Sequence, residues 1–140
     1  MSEAIPTLVT LLALGVYFWT GILVARARAK YKIDAPAMTG NPDFERVVRV
    51  QMNTLEYMPI FIPLLWMFSL TVDPVIGGIL GVCWAVGRIM YAQGYIAAAN
   101  KRGTGFMIQG LACIAMFLGV LVGVIWKLAG MAPMLSQPLL

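Results

Sequence analysis

The segment from Phe44 to Phe61, FERVVRVQMNTLEYMPIF, sets Glu45, Arg46, Arg49, Gln51, Asn53 and Glu56 against a run of residues suited to lipid. Guanidinium groups bind carboxylates through paired N–H donors, a carboxylate such as Glu56 takes an ammonium group, and the amides of Gln51 and Asn53 match a peptide bond. At about 100° per residue on a helix, with Arg49 at zero, Glu45 falls near about −40°, Glu56 about −20°, Asn53 about +40°, Arg46 about +60° and Tyr57 about +80°. These form one polar stripe, while Gln51, at about 200°, points to a different neighbour. A second stripe follows from Arg88, with Tyr91 at about −60° and Tyr95 at about −20°. The set of guanidiniums, one acid, amides and phenols suits a small anionic peptide.

Helices have to carry these stripes, and composition says in what medium. The chain has 140 residues, 61% hydrophobic and only 11% charged, with a mean hydropathy of +0.85. That excludes a soluble domain and implies a membrane protein. Ala4–Ala25 is uncharged for 22 residues and Gly103–Trp126 for 24, each close to the roughly 20 needed to cross a bilayer as a helix. Tyr57–Val72 and Pro74–Gly87 are uncharged for 16 and 14 residues and read as spans that carry polar groups at one end. The expected architecture is an all-α, four-transmembrane-helix bundle in a single domain over 1–140, with helices at about 4–30, 44–72, 74–100 and 103–128. Asn41-Pro42-Asp43 predicts the start of the second helix: a capping side chain, a proline at the first helical position and an acid at the positive end of the dipole. Pro59 and Pro63 predict a bend in it. Met1–Ile5 has no basic region and the first apolar stretch is too long for a cleaved signal, so that stretch is expected to remain in the protein.

Charge orders the topology. Arg26, Arg28, Lys30, Lys32, Arg46 and Arg49 lie in or beside the first connection and Lys101 and Arg102 in the third, whereas the second has no basic residue. The first and third connections are therefore expected to face the cytoplasm and both termini the opposite side. The net charge of +4 reads as topology and contact with anionic membrane lipid, and not as a nucleic-acid surface. With no histidine, and with Cys83 and Cys113 lacking any paired spacing, His-dependent nucleophile pairs and the usual metal ligand sets are excluded, so no metal is expected. Arg46 and Lys101 read as charge anchors. Arg49, Asn53, Glu56 and Arg88 read as functional, because an ionisable group at span depth costs about 2.5–3.5 kcal/mol.

FERVVRVQMNTLEYMPIF followed by GRIMYAQGYIAAANKRGTGF resembles the signature pair of the MAPEG family, the membrane-associated proteins in eicosanoid and glutathione metabolism, and within it the branch of leukotriene C4 synthase and microsomal glutathione S-transferases 2 and 3. The resemblance runs from about Arg28 to Phe106 and includes the four-span layout. It implies a homotrimer with glutathione sites between subunits on the cytoplasmic side. It also implies glutathione contacts at Arg28, Arg49, Gln51, Asn53, Glu56, Tyr57, Arg88, Tyr91 and Tyr95, and places a thiol-activating arginine at Arg102. Glutathione would be the co-substrate, and a lipophilic electrophile or lipid hydroperoxide entering from the bilayer the second substrate. A cation beside the thiol favours the thiolate, which is the nucleophile.

Ala29 follows Arg28 where the leukotriene-forming branch carries a second arginine, and Arg26 stands earlier instead, which weakens the case for leukotriene synthesis. The C-terminal SQPLL is no endoplasmic-reticulum retrieval signal. The chain thus also resembles the short bacterial members, and a bacterial inner membrane is the expected location. Conjugation, peroxide reduction and isomerisation would all use the same thiolate. Two other readings stay open: a non-catalytic lipid-binding scaffold of the same fold, and a small transporter, against which stands a fourth span uncharged throughout.

Overall fold

A computed structural model describes residues 3–135; Met1, Ser2 and the SQPLL segment lie outside the described residues. The described chain is helical, with no strand among the described residues: α1 spans Ala4–Tyr31, α2 Pro42–Thr71, α3 Pro74–Ala97 and α4 Gly103–Leu135, with a short 3-10 turn, Ala99–Arg102, between α3 and α4. All four are long and apolar enough to cross a membrane. Successive helices reverse direction, so α1 and α3 run the same way and α2 and α4 the other. The two central helices, α2 and α3, each pack on the other three helices.

Local chemistry sets the two sharpest boundaries. Asn41 Oδ1 accepts from the Asp43 and Phe44 amides at 2.8 and 3.3 Å, and Asp73 Oδ1 accepts from Val75 and Ile76 at 2.8 Å each. Each satisfies amide groups that a helix start leaves free, and each is followed by a proline that has no amide to satisfy. Helix α2 continues through Pro59 and Pro63 without interruption. Its 30 residues extend about 45 Å, against about 30 Å of hydrocarbon, so its first turns stand outside the apolar layer.

Lipid is as apolar as leucine, so the helices associate by close contact and a few polar links more than by exclusion of water. Phe61 of α2 stacks on Trp84 of α3 at 3.9 Å and 8°, and Trp66 Nε1 donates to Thr10 Oγ1 at 3.1 Å, joining α2 to α1. The closest approach is between α3 and α4. A Cβ on Gly105 would meet Gly87 O at 2.6 Å, and one on Gly87 would meet Gln109 N at 2.7 Å. A Cβ on Gly94 would meet the Lys101 carbonyl carbon at 3.0 Å. This last contact explains a departure from the sequence reading, which carried the third helix to residue 100. At Ala98 the backbone becomes extended, and the 3-10 turn folds back onto Gly94, carrying Arg102 over the end of α3.

Candidate functional site

Where the ends of α2, α3 and α4 converge, Arg49 and Asn53 of α2, Tyr91 and Tyr95 of α3, and Arg102, Gly103 and Phe106 line a cavity of about 320 Å³. Five of the residues singled out in the sequence are thus brought together. The α2 positions arrive on one stripe because they are four residues apart, the α3 positions for the same reason, and Arg102 because the chain breaks at Ala98. Tyr91 and Tyr95 stack with centroids 5.7 Å apart, and the Arg102 guanidinium lies over the Tyr95 ring at 5.2 Å. Arg49 is exposed and forms no ion pair among the described residues. Glu45, the nearest candidate partner by sequence, accepts instead from the Gly40 amide at 3.1 Å.

Beneath the cavity sits Arg88, 0% exposed. Its Nη1 donates to Asn53 Oδ1 at 3.2 Å, while Asn53 Nδ2 donates to Glu56 Oε2 at 3.0 Å. The Arg88 guanidinium lies 4.5 Å from the Tyr57 centroid and 4.8 Å from that of Tyr91. A buried cation with no acid in contact among the described residues is held here by the two near ring faces, with Trp84 farther off at 5.8 Å, and by one amide oxygen, the cheapest neutral partners available to it. Its Nε and Nη2 have no hydrogen-bond partner among the described residues. Glu56, Asn53, Arg88, Tyr57 and Tyr91 therefore form one connected assembly that orients Asn53: one end of its amide meets a cation, the other an anion.

Arg28 and Gln51 do not line this cavity. Arg28 Nη1 donates to Ala37 O at 2.8 Å and, more weakly, to Ile33 O at 3.4 Å, and its guanidinium rests 5.1 Å above the Phe44 ring. Gln51 faces α1, where its Nε2 lies 3.4 Å from the position of a Cβ on Gly21. Arg46 also leaves the stripe. It pairs with Asp43 at 2.6 Å and donates from Nε to Ile96 O at 3.1 Å, which fits an anchor and not a ligand contact.

Sequence reasoning assigned no role to Phe106, whose ring stands 6.4 Å from those of both Tyr57 and Tyr91. The only signal was its spacing, one helical turn beyond Arg102. Half-exposed at 46%, it gives the cationic cavity one apolar wall. The cavity thus pairs fixed positive charge and hydrogen-bonding groups with an apolar border at the end of the spans, an arrangement suited to a polar anion next to a lipophilic molecule.

Residues 6–122 match the MAPEG family. An uncharacterized protein of Synechocystis sp. is 50% identical over 123 residues, 88% of this chain and 90% of that protein. Microsomal glutathione S-transferase 2 of Homo sapiens is 46% identical over 99 residues, 70% of this chain and 67% of that protein. Leukotriene C4 synthase of Bos taurus is 32% identical over 104 residues, covering 73% and 69%.

Proposed function

Because the chain belongs to the MAPEG family and is an integral membrane protein with four apolar helices, we propose that it is a glutathione transferase or peroxidase acting on lipophilic substrates. The observation that carries this reading is the convergence of Arg49, Asn53, Tyr91, Tyr95 and Arg102 on one cavity, with Asn53 oriented by Arg88 and Glu56. Glutathione offers two carboxylates, an ammonium and two peptide bonds. Arg49 and the α3 groups take carboxylates, Glu56 takes the ammonium and Asn53 a peptide bond. Arg102 stands beside the thiol and favours its ionised form. Arginine stays protonated at neutral pH and is no base, so the thiol proton leaves through water. The thiolate sulfur then bonds to the electrophilic carbon of a conjugation substrate, which loses its leaving group, or to the terminal oxygen of a hydroperoxide, breaking the O–O bond to release an alcohol and leave a glutathione sulfenic acid that a second glutathione converts to disulfide and water; the second substrate enters past Phe106.

Arg28 and Gln51 complete the site from a neighbouring subunit in a homotrimer. Their position on another face of the same chain, away from the cavity, supports this arrangement. The basic ends of the bundle face the cytoplasm of a bacterial inner membrane, a location in keeping with the similar cyanobacterial protein.

The test is glutathione-dependent turnover of detergent-purified protein with chlorodinitrobenzene and, in parallel, cumene hydroperoxide, for wild type, Arg49→Ala and Arg102→Ala. Turnover in wild type that Arg49→Ala abolishes and Arg102→Ala lowers sharply at neutral pH is the expected result, and the better substrate says which reaction dominates. No turnover in folded wild type would refute the enzymatic reading and favour a lipid-binding scaffold.

A further inference from the structure

On the side of α1 turned away from Arg28, a second cationic pocket of about 400 Å³ is lined by Arg26 and Lys30 of α1, Asp43 and Arg46 of α2, and Ile96 and Ala97 of α3. Arg26 and Lys30 lie about 160° to either side of Arg28 on the α1 wheel, so they face away from the residue assigned to glutathione. The one acid in the pocket is already committed: Asp43 pairs with Arg46 at 2.6 Å and accepts from Tyr31 Oη at 3.3 Å. Arg46 in turn is fixed to α3 through Ile96 O. Arg26 and Lys30 form no ion pair among the described residues, and Lys30 Nζ rests over the Tyr31 ring at 4.9 Å. Three cations against one acid leave an excess of positive charge aimed at a common space.

Below this pocket the parallel helices α1 and α3 border an apolar track. On α3, Val75, Ile79, Val82, Val86 and Met90 are exposed at helical spacing. The far end of the same α1–α3 groove is a cavity of about 460 Å³ lined only by apolar residues and Cys83. Charge at the end of the spans and an apolar strip leading from it have the shape of an amphiphile lying along the bilayer normal. A soluble anion would use only the first feature.

We propose that this groove binds an anionic glycerophospholipid, its phosphate between Arg26 and Lys30 and an acyl chain on the α3 track. The site is separate from the cavity bounded by Arg49 and Arg102 and does not depend on the reaction assigned to it.

The experiment measures lipid retention by native mass spectrometry on the full chain, delipidated in detergent and titrated with dioleoyl phosphatidylglycerol or dioleoyl phosphatidylcholine. Wild type is expected to retain phosphatidylglycerol, the anionic lipid, selectively over phosphatidylcholine. Each basic residue near an anionic headgroup contributes about fivefold, so Arg26→Gln with Lys30→Gln lowers that retention about twenty-five-fold while glutathione-dependent turnover stays unchanged. Ala97→Phe, which keeps every charge and fills the pocket, has the same effect on retention. Equal retention of the two lipids by wild type would overturn the proposal. So would wild-type retention of phosphatidylglycerol by either variant, or displacement of the lipid by inorganic phosphate at matched concentration.

Discussion

Replacing Arg88 with methionine separates what this residue does for the fold from what it does for the ligand. In the fold, its charge is held by one hydrogen bond to Asn53 at 3.2 Å and by the Tyr57 and Tyr91 rings at 4.5 and 4.8 Å. A charge-assisted hydrogen bond contributes about 2 kcal/mol net and each ring about 1 kcal/mol. Against this about 4 kcal/mol stands the cost of an arginine at span depth, about 3 kcal/mol. The difference is small, and methionine fills much of the same volume without the charge. Arg88→Met is therefore expected to change stability by about 1 kcal/mol or less, read as a shift in the detergent unfolding midpoint.

The ligand should respond differently. Without Arg88, Asn53 keeps its bond to the exposed Glu56, and the cluster proposed to bind carboxylates loses a fixed cation. Glutathione affinity, measured by calorimetry on the folded variant, is expected to fall at least about tenfold, or about 1.4 kcal/mol. A variant that loses several kcal/mol of stability yet binds glutathione normally would show that Arg88 is a structural cation, and the chain of contacts from Glu56 to Tyr91 would have no part in recognition.

Arg102→Ala is expected to leave glutathione affinity within a few-fold of wild type but to shift the pH–rate profile upward. A cation beside the thiol lowers its pKa, so removing the cation raises it, and each unit corresponds to about 1.36 kcal/mol; an unmoved profile and unchanged thiolate absorbance would remove Arg102 from the activation step. Gly105→Ala is expected to destabilise by about 2 kcal/mol or more, because the added carbon meets Gly87 O and the Tyr91 amide, backbone atoms that cannot step aside. Gly110→Ala, where nothing lies within 4 Å, should instead be neutral or stabilising by up to about 1 kcal/mol, as thermal unfolding of the pair would show. Finally, subunits carrying Arg28→Ala and Arg49→Ala, each inactive alone, are expected to recover activity when assembled together.

The features written into local sequence were legible. The Asn41-Pro42 helix start was legible because capping depends on three or four neighbouring residues, the Asp73 cap uses the same local chemistry but was not singled out, and the spans were legible because bilayer thickness fixes their length. Helical periodicity placed Arg49 with Asn53 and Arg88 with Tyr91, since both partners of each pair lie on one helix. What the wheel cannot show is which neighbour a position meets. Arg46 lies about 60° from Arg49, and that angle carries it out of the cavity to Ile96 of α3. The break at Ala98 was equally hidden: a run of alanines favours helix, and the turn packs the Lys101 backbone against Gly94, where no side chain stands in the way, a contact no local preference encodes. Phe106 escaped notice because one phenylalanine among many apolar residues has no distinguishing neighbour until Tyr57 and Tyr91 are brought beside it.

The mixing experiment decides what the single subunit leaves divided. Gln51 lies about 200° around α2 from Arg49, and Arg28 is turned toward Phe44 and the Ala37 carbonyl, so one ligand in the cavity cannot reach all of them in the same chain. If each site is built from the Arg49 face of one copy and the Arg28 face of the next, the contact is head-to-tail and closes into a ring. Going round a ring of three, an intact site requires an Arg28→Ala subunit followed by an Arg49→Ala subunit. Every mixed ring has one such junction, and about three-quarters of rings formed from equal amounts are mixed, so about a quarter of wild-type turnover should return. Two inactive variants that stay inactive together would place both arginines in a site within one chain, or remove one of them from it. The recovery of that fraction would instead mean that the subunit is half an active centre on each of two faces, and that assembly itself creates the enzyme.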